Sequence, residues 1–409
     1  MTFLYKEADF KETSIGKIPK DWEIVNVGDI LSLEYGKGLP ERERISGEYP
    51  VVGSNGIVGY HNKALIKGPG IVIGRKGTIG AVSWVERDFW PIDTTYFVKL
   101  KKDGVDLKWL YYVLIKLDLP KLHLSDVVPG LKREIAYSLK IPFPSSLKEQ
   151  RAVAGILGVV DSVIAKTDEV IVKTERLKKG LMQTLLTRGI GHKEFKETEI
   201  GKIPKTWQVV RIKDVAEIRG NKRINDFEKI AFIPMELIPD SQIFAKYEIR
   251  TKEDVKSFTY CEAGDILLAK ITPSLENGKQ GVVPFDVPDG FALATTEVFP
   301  IRCKNIDRFF LFYVLKFSKF RDKIISSMIG TTGRQRATRD SVEKLEIPLP
   351  PLEEQQKIGG ILSEVDKKLE LERNEKAKLE RIKRGLMDLL LTGKVRVKVE
   401  VNCDAVCSG

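Results

Sequence analysis

The sequence lacks the long apolar run of a membrane-spanning protein. No stretch approaches the roughly 20 apolar residues that a transmembrane helix needs, and the start, MTFLYKEADF, does not have the layout of a secretory signal peptide. Cysteine is scarce as well, and the four that occur form no CxxC pair: Cys261, Cys303, Cys403 and Cys407. Because structural zinc sites usually use closely spaced ligand pairs, these cysteines do not indicate a metal site. We therefore expect a soluble, reduced, cytoplasmic chain with no membrane partner and no bound metal.

Motifs typical of catalysis are also missing. The three histidines, His61, His123 and His192, have neither ligand nor triad spacing and are predicted to lie in turns or on the surface. No glycine precedes a Gly-Lys pair by five positions, which excludes a P-loop. GxGxxG and the Asn/Asp-Pro-Pro-aromatic motif of amino-methyltransferases do not occur, and GRKGTIG at 74–80 is predicted to be a tight turn. The sequence favours a binding protein without catalytic residues and without a cofactor of its own.

Positive charge, in contrast, is present in excess. Lysine and arginine number 68 against 57 aspartates and glutamates, which gives a net charge of +11. A surplus of this size favours a polyanionic partner, with nucleic acid ahead of a membrane surface. Surfaces rich in Lys and Glu also occur for solubility alone, so charge by itself leaves both explanations open.

The chain also contains an internal repeat. IGKIPKDW at 15–22 returns as IGKIPKTW at 200–207, an offset of 185 residues. Three later pairs of segments repeat at offsets of 201, 205 and 205: LYYVL at 110–114 and LFYVL at 311–315, LKEQRAVAGILGVVD at 147–161 and LEEQQKIGGILSEVD at 352–366, KGLMQTLLT at 179–187 and RGLMDLLLT at 384–392. Such self-similarity predicts two homologous units in tandem. Because the offset grows and then becomes constant, each unit should have a variable body followed by a rigid tail.

Each tail is predicted to be one long helix. IPFP at 141–144 and IPLPP at 347–351 end the preceding strand, because proline removes a ladder donor. Ser146 and Glu149 have the spacing of a capping box, and Gly189 can supply a left-handed cap at the other end. The first tail has a heptad seam, which predicts a coiled coil. Its members are Ile156, Val160, Val163, Thr167, Val170, Thr174, Leu177 and Leu181. The second tail has a charged middle and keeps the seam only at its ends. The seam residues there are Ile361, Val365, Leu379, Ile382 and Leu386.

The bodies are predicted to be mixed α/β. Short β-branched runs broken by glycine turns, such as GDILLAK at 264–270, indicate strands, and an apolar helical segment follows in each body. The predicted fold is α+β, with two homologous globular α/β domains joined by two long antiparallel helices that form a coiled coil, as a pseudo-twofold internal repeat. Its predicted parts are a first body at 1–145, a first helical region at 146–190, a second body at 195–350, a second helical region at 351–393 and a C-terminal tail at 394–409.

Four glycines occupy matched places in the two tails. Gly155 and Gly180 in the first correspond to Gly360 and Gly385 in the second, although glycine costs about 1 kcal/mol inside a helix. In an antiparallel pair, Gly155 can face Gly385 while Gly180 faces Gly360. These glycines should therefore serve either close helix pairing or contact with a partner subunit, and the sequence leaves both alternatives open.

Basic and amide side chains recur in the loops of both bodies. Arginine suits bidentate contact with guanine, asparagine and glutamine suit adenine, and lysine mostly meets phosphate. As a set, these residues are predicted to include the DNA contacts: Lys37, Asn55, Arg75, Lys76, Lys132 and Arg133 in the first body, and Asn221, Lys222, Arg223, Lys270, Lys279, Gln280, Arg334, Gln335, Arg336 and Arg339 in the second.

The repeated motifs resemble one family. IGxIPxxW at the start of each unit, GRKGTIG and GDILLAK in the bodies, and IPLPPLEEQQKIGGIL before the long helix are similar to the specificity subunit of type I restriction-modification systems. The resemblance implies that each body is a target recognition domain reading one half of a bipartite double-stranded DNA site. It also implies that the helices hold two modification (methyltransferase) subunits, and that restriction subunits join the full complex. S-adenosylmethionine, ATP and Mg²⁺ would belong to those partners.

Two other functions stay open at this stage. One is a self-sufficient DNA methyltransferase or nuclease with degenerate motifs, and the other is a two-headed protein scaffold without nucleic acid. For the specificity subunit, we expect two short inverted half-sites about one helical turn of DNA apart, separated by a fixed non-specific spacer that the helices measure.

Overall fold

The computed structural model describes residues 2–123, 130–220, 222, 224, 227–255, 257–331 and 333–399. The chain divides into two compact units: a first unit of 1–166 and 376–409, and a second unit of 167–375. Each unit combines one body with a segment of both long helices. Among the described residues, no helix is both long and apolar enough to cross a membrane.

Two helices are much longer than the rest. They have 42 and 39 residues, so at 1.5 Å per residue each is roughly 60 Å long. The two long helices predicted from the tails are confirmed. The helices are α1 Val27–Ile30, α2 Leu107–Lys116, α3 Arg133–Ser138, α4 Leu147–Arg188, α5 Ile212–Val215, α6 Arg308–Lys316, α7 Ser318–Ser326, α8 Arg339–Glu343 and α9 Leu352–Leu390.

The strands are short and alternate with turns. Those before α4 are β1 Thr2–Lys6, β2 Phe10–Thr13, β3 Gly16–Pro19, β4 Glu23–Asn26, β5 Leu31–Tyr35, β6 Tyr49–Gly53, β7 Gly56–His61, β8 Gly70–Gly74, β9 Val82–Val85, β10 Trp90–Pro91, β11 Thr95–Leu100 and β12 Lys140–Phe143. Those after α4 are β13 Phe195–Lys196, β14 Ile203–Pro204, β15 Gln208–Arg211, β16 Ala216–Ile218, β17 Lys229–Ile233, β18 Glu248–Thr251, β19 Thr259–Glu262, β20 Ile266–Ala269, β21 Gln280–Val282, β22 Phe291–Ala294, β23 Val298–Cys303, β24 Glu346–Leu349 and β25 Val395–Val399.

Both bodies contain the same antiparallel sheet. Its strand order is β5-β11-β8-β9 in the first unit and β16-β23-β20-β21 in the second. The apolar helices α2 and α6 belong to the main hydrophobic core of their own unit. A second sheet differs, with order β10-β6-β7 in the first body and β18-β17-β22-β19 in the second. Most strands of this second sheet lie between the first two strands of the shared sheet in sequence, and the second body has more residues there, so the repeat offset grows.

A glutamine at the start of each long helix joins that helix to its body. In the first unit, Gln150 Oε1 accepts from the Asp106 amide (2.7 Å), and Asp106 caps α2 by accepting from Trp109 N (2.8 Å). In the second unit, Gln355 Oε1 accepts from the Asp307 amide (2.8 Å), and Asp307 caps α6 in the same way. One polar side chain therefore fixes where each long helix leaves its body.

The long helices run antiparallel within each unit. In the second unit, Lys178 pairs with Asp366 (2.5 Å) and Glu175 pairs with Arg373 (2.6 Å), so residue numbers fall on α4 as they rise on α9. In the first unit, Val153 and Leu157 of α4 share a core with Met387 and Leu390 of α9. The predicted antiparallel pairing is confirmed.

The same three side chains anchor the helix pair in each unit, with the helices exchanged. In the first unit, Asp161 of α4 accepts from Tyr112 OH (2.8 Å) and pairs with Lys383 of α9 (2.6 Å). In the second, Asp366 of α9 accepts from Tyr313 OH (2.8 Å) and pairs with Lys178 of α4. We call each set an Asp–Tyr–Lys triad. Its tyrosine belongs to the body, so each triad binds both helices to that body.

The predicted heptad seam is correct only in part: its members Thr167 and Thr174 are buried. Val163 and Leu177 are exposed, whereas Leu157 and Ile171 are buried. Ile361 and Ile382 of α9 are exposed as well. Each helix packs against a body as well as against the other helix, so the buried stripe is wider than a coiled-coil seam and is displaced from it.

The repeated octapeptide places a tryptophan against a helix end. Gly189 and Gly393 end the two helices at φ values of +66° and +72°, which confirms the left-handed cap predicted at Gly189. A Cβ on Gly189 would lie 2.6 Å from the ring of Trp207, and one on Gly393 would lie 3.3 Å from Trp22. Both tryptophans are fully buried, so each copy of the octapeptide packs a tryptophan against the C-terminal end of a long helix.

The predicted capping box is only half formed. Ser146 Oγ accepts from Glu149 N at 3.3 Å, but the Glu149 carboxylate pairs with Arg396 of β25 (2.5 Å). The equivalent Glu354 in the second unit accepts from Trp207 Nε1 (2.9 Å) and lies 2.9 Å from His192 Nε2. In the first unit, the ion pair with Arg396 therefore replaces the expected local cap.

We predict that Asp366→Asn destabilises the protein more than its counterpart Asp161→Asn. The side chains of Asp366 and Lys178 are 4% and 15% exposed, against 30% and 20% for Asp161 and Lys383. Losing the more buried carboxylate leaves a lysine unpaired away from water, which costs ~3 kcal/mol or more. The more exposed site should lose about 1–2 kcal/mol of unfolding free energy. Urea unfolding of the two variants measures the difference, and equal losses would contradict this account of the triads.

Candidate nucleic-acid interface

Four of the predicted cations of the first body lie around one pocket. Together with Tyr35, Tyr96 and one carboxylate, Glu134, they line a concavity of about 300 Å³; the four cations are Arg75, Lys76, Lys132 and Arg133. We call it the Tyr35 pocket. Its lining comes from the end of β5, the turn after β8, the strand β11 and the start of α3. Arginine and lysine that are far apart in sequence therefore form one basic, partly aromatic surface.

Backbone hydrogen bonds hold these segments together. The amides of Arg75 and Lys76 donate to Thr94 O at 2.9 and 3.1 Å, and Leu131 N donates to Arg75 O at 3.2 Å. The Leu33 amide on β5 donates to the hydroxyl oxygen of Tyr137 in α3 at 2.8 Å. The pocket walls are thus fixed by the fold of the first body.

The GRKGTIG segment is the tight turn that the sequence predicts. It connects β8 to β9, and Gly80 N donates to Gly74 O at 2.8 Å. Gly77 and Gly80 have φ values of +74° and +75°, which side chains other than glycine rarely adopt. A Cβ on Gly80 would also lie 2.5 Å from Pro120 N. This turn presents Arg75 and Lys76 at the edge of the shared sheet.

Two guanidinium groups lie over the ring of Tyr35. The Cζ atoms of Arg75 and Arg133 lie over its ring at 5.2 and 4.7 Å from the centroid. Tyr96 supports it at a centroid distance of 5.1 Å and donates its hydroxyl to Leu131 O at 3.2 Å. Burial, with the hydrogen bond to Tyr35, raises the pKa of Tyr96 to about 12, so the phenol stays protonated. Sequence reasoning missed both tyrosines, although Tyr35 precedes the Gly-Lys-Gly segment in which Lys37 was identified.

The remaining predicted residues of the first body are exposed. The side chain of Lys37 is exposed, and its backbone is fixed by a donation from Trp90 Nε1 to Lys37 O at 2.8 Å. Asn55 is exposed in the turn between β6 and β7. Its neighbour Ser54 lies against the GRKGTIG turn, since a Cβ on Gly74 would be 3.0 Å from Ser54 Cβ. Asn55 therefore lies beside the turn that presents Arg75.

The second body has an equivalent place with different chemistry. Lys270 follows β20 as Arg75 follows β8, and Ala337 N donates to Lys270 O at 2.8 Å. Arg339 Nη2 donates to Ile218 O at 2.8 Å, as Arg133 Nη1 donates to Leu33 O at 3.3 Å. The second body nevertheless has Gly220 at the repeat position of Tyr35. The two bodies thus share a framework and differ in the side chains that it presents.

Two of the arginines predicted as DNA contacts in the second body are paired with carboxylates. Arg339 Nε donates to Glu343 Oε1 at 2.6 Å, and Arg336 Nη2 donates to Glu297 Oε1 at 2.7 Å. Lys270 lies over the ring of Phe299 at 5.4 Å. Arg334 is exposed and Gln335 is half-buried beside this group. Part of the positive charge predicted for this surface is therefore neutralised.

The prediction is wrong for Gln280 as a DNA contact. Its side chain is fully buried, donates to Phe312 O (2.8 Å) and accepts from Arg321 (2.9 Å). The ammonium group of Lys279 is already bound to Met235 O and Ile238 O at 2.8 and 2.9 Å. Lys222 is exposed, with its nitrogen 5.0 Å from the centroid of Tyr260. Asn221 and Arg223 lie outside the described residues.

Two histidines differ from the prediction. His61 is buried, and its Nδ1 accepts from Ile45 N at 3.0 Å. His192 is partly buried against Glu354. The side chain of His123 is not among those that the structure describes. Within the described ranges, no group of three or more His, Cys, Asp or Glu residues is placed to hold a metal ion. Cys261 is buried, which raises the pKa of its thiol, and Cys403 and Cys407 are not among the described residues.

The matched glycines do not lie at a close approach of the helices. Gly155, Gly180, Gly360 and Gly385 are exposed, and a Cβ added to each would meet nothing within 4 Å. Close pairing is therefore wrong as their explanation within each unit. Contact with a partner subunit stays a prediction.

Comparison with known proteins identifies the family. The family model described as "Type I restriction modification DNA specificity domain" matches residues 19–174 and 204–381, one range in each half of the repeat. The chain belongs to this type I specificity family. It is 31% identical to the type I restriction enzyme MjaVIII specificity subunit of Methanocaldococcus jannaschii, over 96% of this chain and 97% of the relative. It is 27% identical to the putative MjaX specificity subunit of the same organism, over 96% and 98%.

Solved structures of the type I specificity family share the fold. The S subunit of a type I restriction-modification system from M. genitalium has a TM-score of 0.61 at 16% identity, covering 90% of this chain and 96% of that chain. A chain from a study of type I complex assembly and conformational transition has a TM-score of 0.51 at 16% identity, over 92% and 99%. The predicted two-domain α+β fold with two long helices is confirmed.

Proposed function

We propose that this chain is the non-catalytic DNA-reading subunit of a type I restriction-modification complex, and that each body reads one half of a bipartite DNA site. The observation that carries the proposal is the Tyr35 pocket, where four cations converge on an aromatic ring at one edge of the shared sheet. Lysines and arginines there can neutralise phosphates and reach base edges. The family supports this assignment, and so does the equivalent framework in the second body.

The two half-sites should differ in sequence. The framework positions Arg75 in the first body and Lys270 in the second at the same place after a strand. Arg133 keeps its charge unpaired by any described carboxylate, whereas Arg339 is paired with Glu343. Because the side chains differ while the supporting strands correspond, each body can read its own bases independently.

We further propose that the long helices dock two modification subunits and set the spacer between half-sites. Both helices have exposed apolar residues, among them Leu177 and Ile382, which are 56% and 52% exposed. Each lies three residues before one of the exposed glycines, Gly180 or Gly385. An apolar side chain beside a glycine gives a partner helix both contact area and a close approach. Restriction subunits would join this complex to form the larger assembly. S-adenosylmethionine, ATP and Mg²⁺ would bind to the modification and restriction subunits.

Two rival functions make different demands. A self-sufficient methyltransferase would bind S-adenosylmethionine, and radiolabelled S-adenosylmethionine retained by the purified chain would favour it. A protein scaffold would show no DNA binding, or binding insensitive to salt. The positively charged pocket favours DNA binding over the protein scaffold, and the S-adenosylmethionine test separates the specificity subunit from the methyltransferase.

We predict that Lys76→Gln weakens binding to every DNA sequence alike. Lys76 is exposed at the mouth of the Tyr35 pocket and suits a phosphate contact. Each phosphate contact contributes about −0.9 to the slope of log affinity against log salt, so the variant should lose about one unit of slope. The measurement is a salt titration of the complex with its modification subunits on target and random duplexes. Lys213→Gln, at an exposed lysine of α5, is the matched control and should keep the slope; a variant slope equal to the control would contradict the contact.

We predict that exchanging residues 1–145 for the first body of another family member changes one half of the methylated site only. The reason is that the strands and loops of each body belong to its own unit. Methylome sequencing of a host that expresses the hybrid with its modification and restriction subunits gives both half-sites directly. A hybrid in which both halves change together, or in which neither changes, would refute independent reading.

A further inference from the structure

We propose that the first body reads a guanine in its half-site through Arg75 and Arg133, the two guanidinium groups that lie on Tyr35. This inference rests on the proposed function and names the base that the Tyr35 pocket recognises. Guanine presents two acceptors, O6 and N7, on its major-groove edge, and arginine is the side chain whose fork matches them. The argument depends on which N–H groups the fold leaves open, on how firmly the guanidinium groups are held, and on the contrast with the second body.

Arg75 has an open fork. Its Nε and Nη2 both donate to Asp93 O, at 3.2 and 2.8 Å. A guanidinium has five N–H donors, so this contact leaves the donors on the Nη1–Nη2 edge available. A backbone carbonyl thus holds one edge of the group, and the adjoining edge has the pair of N–H groups that a bidentate contact to guanine needs.

Arg133 is held in a similar way from another segment. Its Nη1 donates to Leu33 O at 3.3 Å, and its Cζ lies 4.7 Å from the centroid of Tyr35. Among the described residues, neither Arg133 nor Arg75 forms an ion pair with a carboxylate. Both therefore keep a full positive charge and unoccupied donors while their planes are fixed by a carbonyl and an aromatic ring.

Fixing the planes favours base recognition over a simple phosphate clamp. A side chain that is already ordered loses little rotamer entropy when it binds, and a fixed fork discriminates between acceptor patterns. Tyr35 supplies this order while remaining 52% exposed, so the stack is accessible at the surface. Lys76, exposed at the mouth of the same pocket, can supply charge for the phosphates.

The second body lacks this arrangement. Gly220 stands at the repeat position of Tyr35, and Arg339, at the position of Arg133, pairs with Glu343 at 2.6 Å. Lys270, at the position of Arg75, has a single ammonium group and cannot form a fork. The guanine dependence should therefore belong to the half-site of the first body and follow that body in an exchange.

The test uses the complex of this chain with its modification subunits and duplexes that contain the methylated site. Each guanine of the first body's half-site is replaced in turn by 7-deazaguanine, which lacks the N7 acceptor. At one position we expect binding to weaken about 10-fold, within the range of one bidentate contact. In the Arg75→Ala or Arg133→Ala variant that removes the donors to N7, the same replacement should have no further effect. The control Arg87→Ala, at an exposed arginine outside the pocket, should retain the full 10-fold dependence.

The outcomes separate this inference from the proposed function. It is overturned if no guanine replacement acts through Arg75 or Arg133, or if these variants weaken target and random DNA equally, which would indicate a phosphate clamp. Tyr35→Phe, which keeps the ring, should preserve the dependence, and Tyr35→Ala should reduce it. If exchanging the first body changes neither half-site, the proposed function itself fails; if one half-site changes without any guanine dependence on these arginines, only this inference fails.

Discussion

The carboxylates of Asp161 and Asp366 each connect three parts of their own unit. Each accepts a hydrogen bond from a tyrosine of the body and pairs with a lysine of the other helix. Burial, together with the neighbouring carboxylate, raises the pKa of Tyr112 and Tyr313, so both phenols stay donors at neutral pH. In the second unit, where Asp366 is almost fully buried, breaking one contact leaves a buried charge unsatisfied, which makes the helices and the body interdependent. Since the body is fixed to the helix pair in this way, its loops can vary without loss of the frame that positions them.

The proposed division of labour follows from that frame. The glutamines Gln150 and Gln355, the triads and the buried tryptophans Trp22 and Trp207 recur in both units. What differs is concentrated in the second sheet and in the side chains around Tyr35 and Lys270. A repeat that keeps its helix anchors and varies its edge loops suits a protein whose two halves read different bases while the helices contact the same kind of partner.

The sequence predicts the repeat, the two long helices and their antiparallel pairing because each depends on local pattern or on chain connectivity. The Tyr35 pocket was only partly predictable, since strand order and not sequence spacing brings Tyr35, Arg75 and Arg133 together. Gln280 was misassigned because a buried amide and a loop amide are alike in sequence. The pairing of Arg339 with Glu343 could have been predicted from the sequence, because residues four apart on a helix favour such an ion pair. The heptad seam was correct only in part, because a coiled-coil pattern assumes one partner helix, whereas each long helix also packs against a body.

The central claim is that the helices hold two independent readers at a set spacing, and the spacer length tests it most directly. Four residues inserted after Lys166 in α4 and four after Glu375 in α9, both at the boundary of the two compact units, lengthen each helix by roughly 6 Å. Binding of the complex would be measured on duplexes whose spacer grows one base pair at a time. We expect the optimum to move to a longer spacer, by at most about two base pairs at roughly 3.4 Å each, with both half-sites unchanged. An unchanged optimum in a folded, DNA-binding variant would contradict the claim.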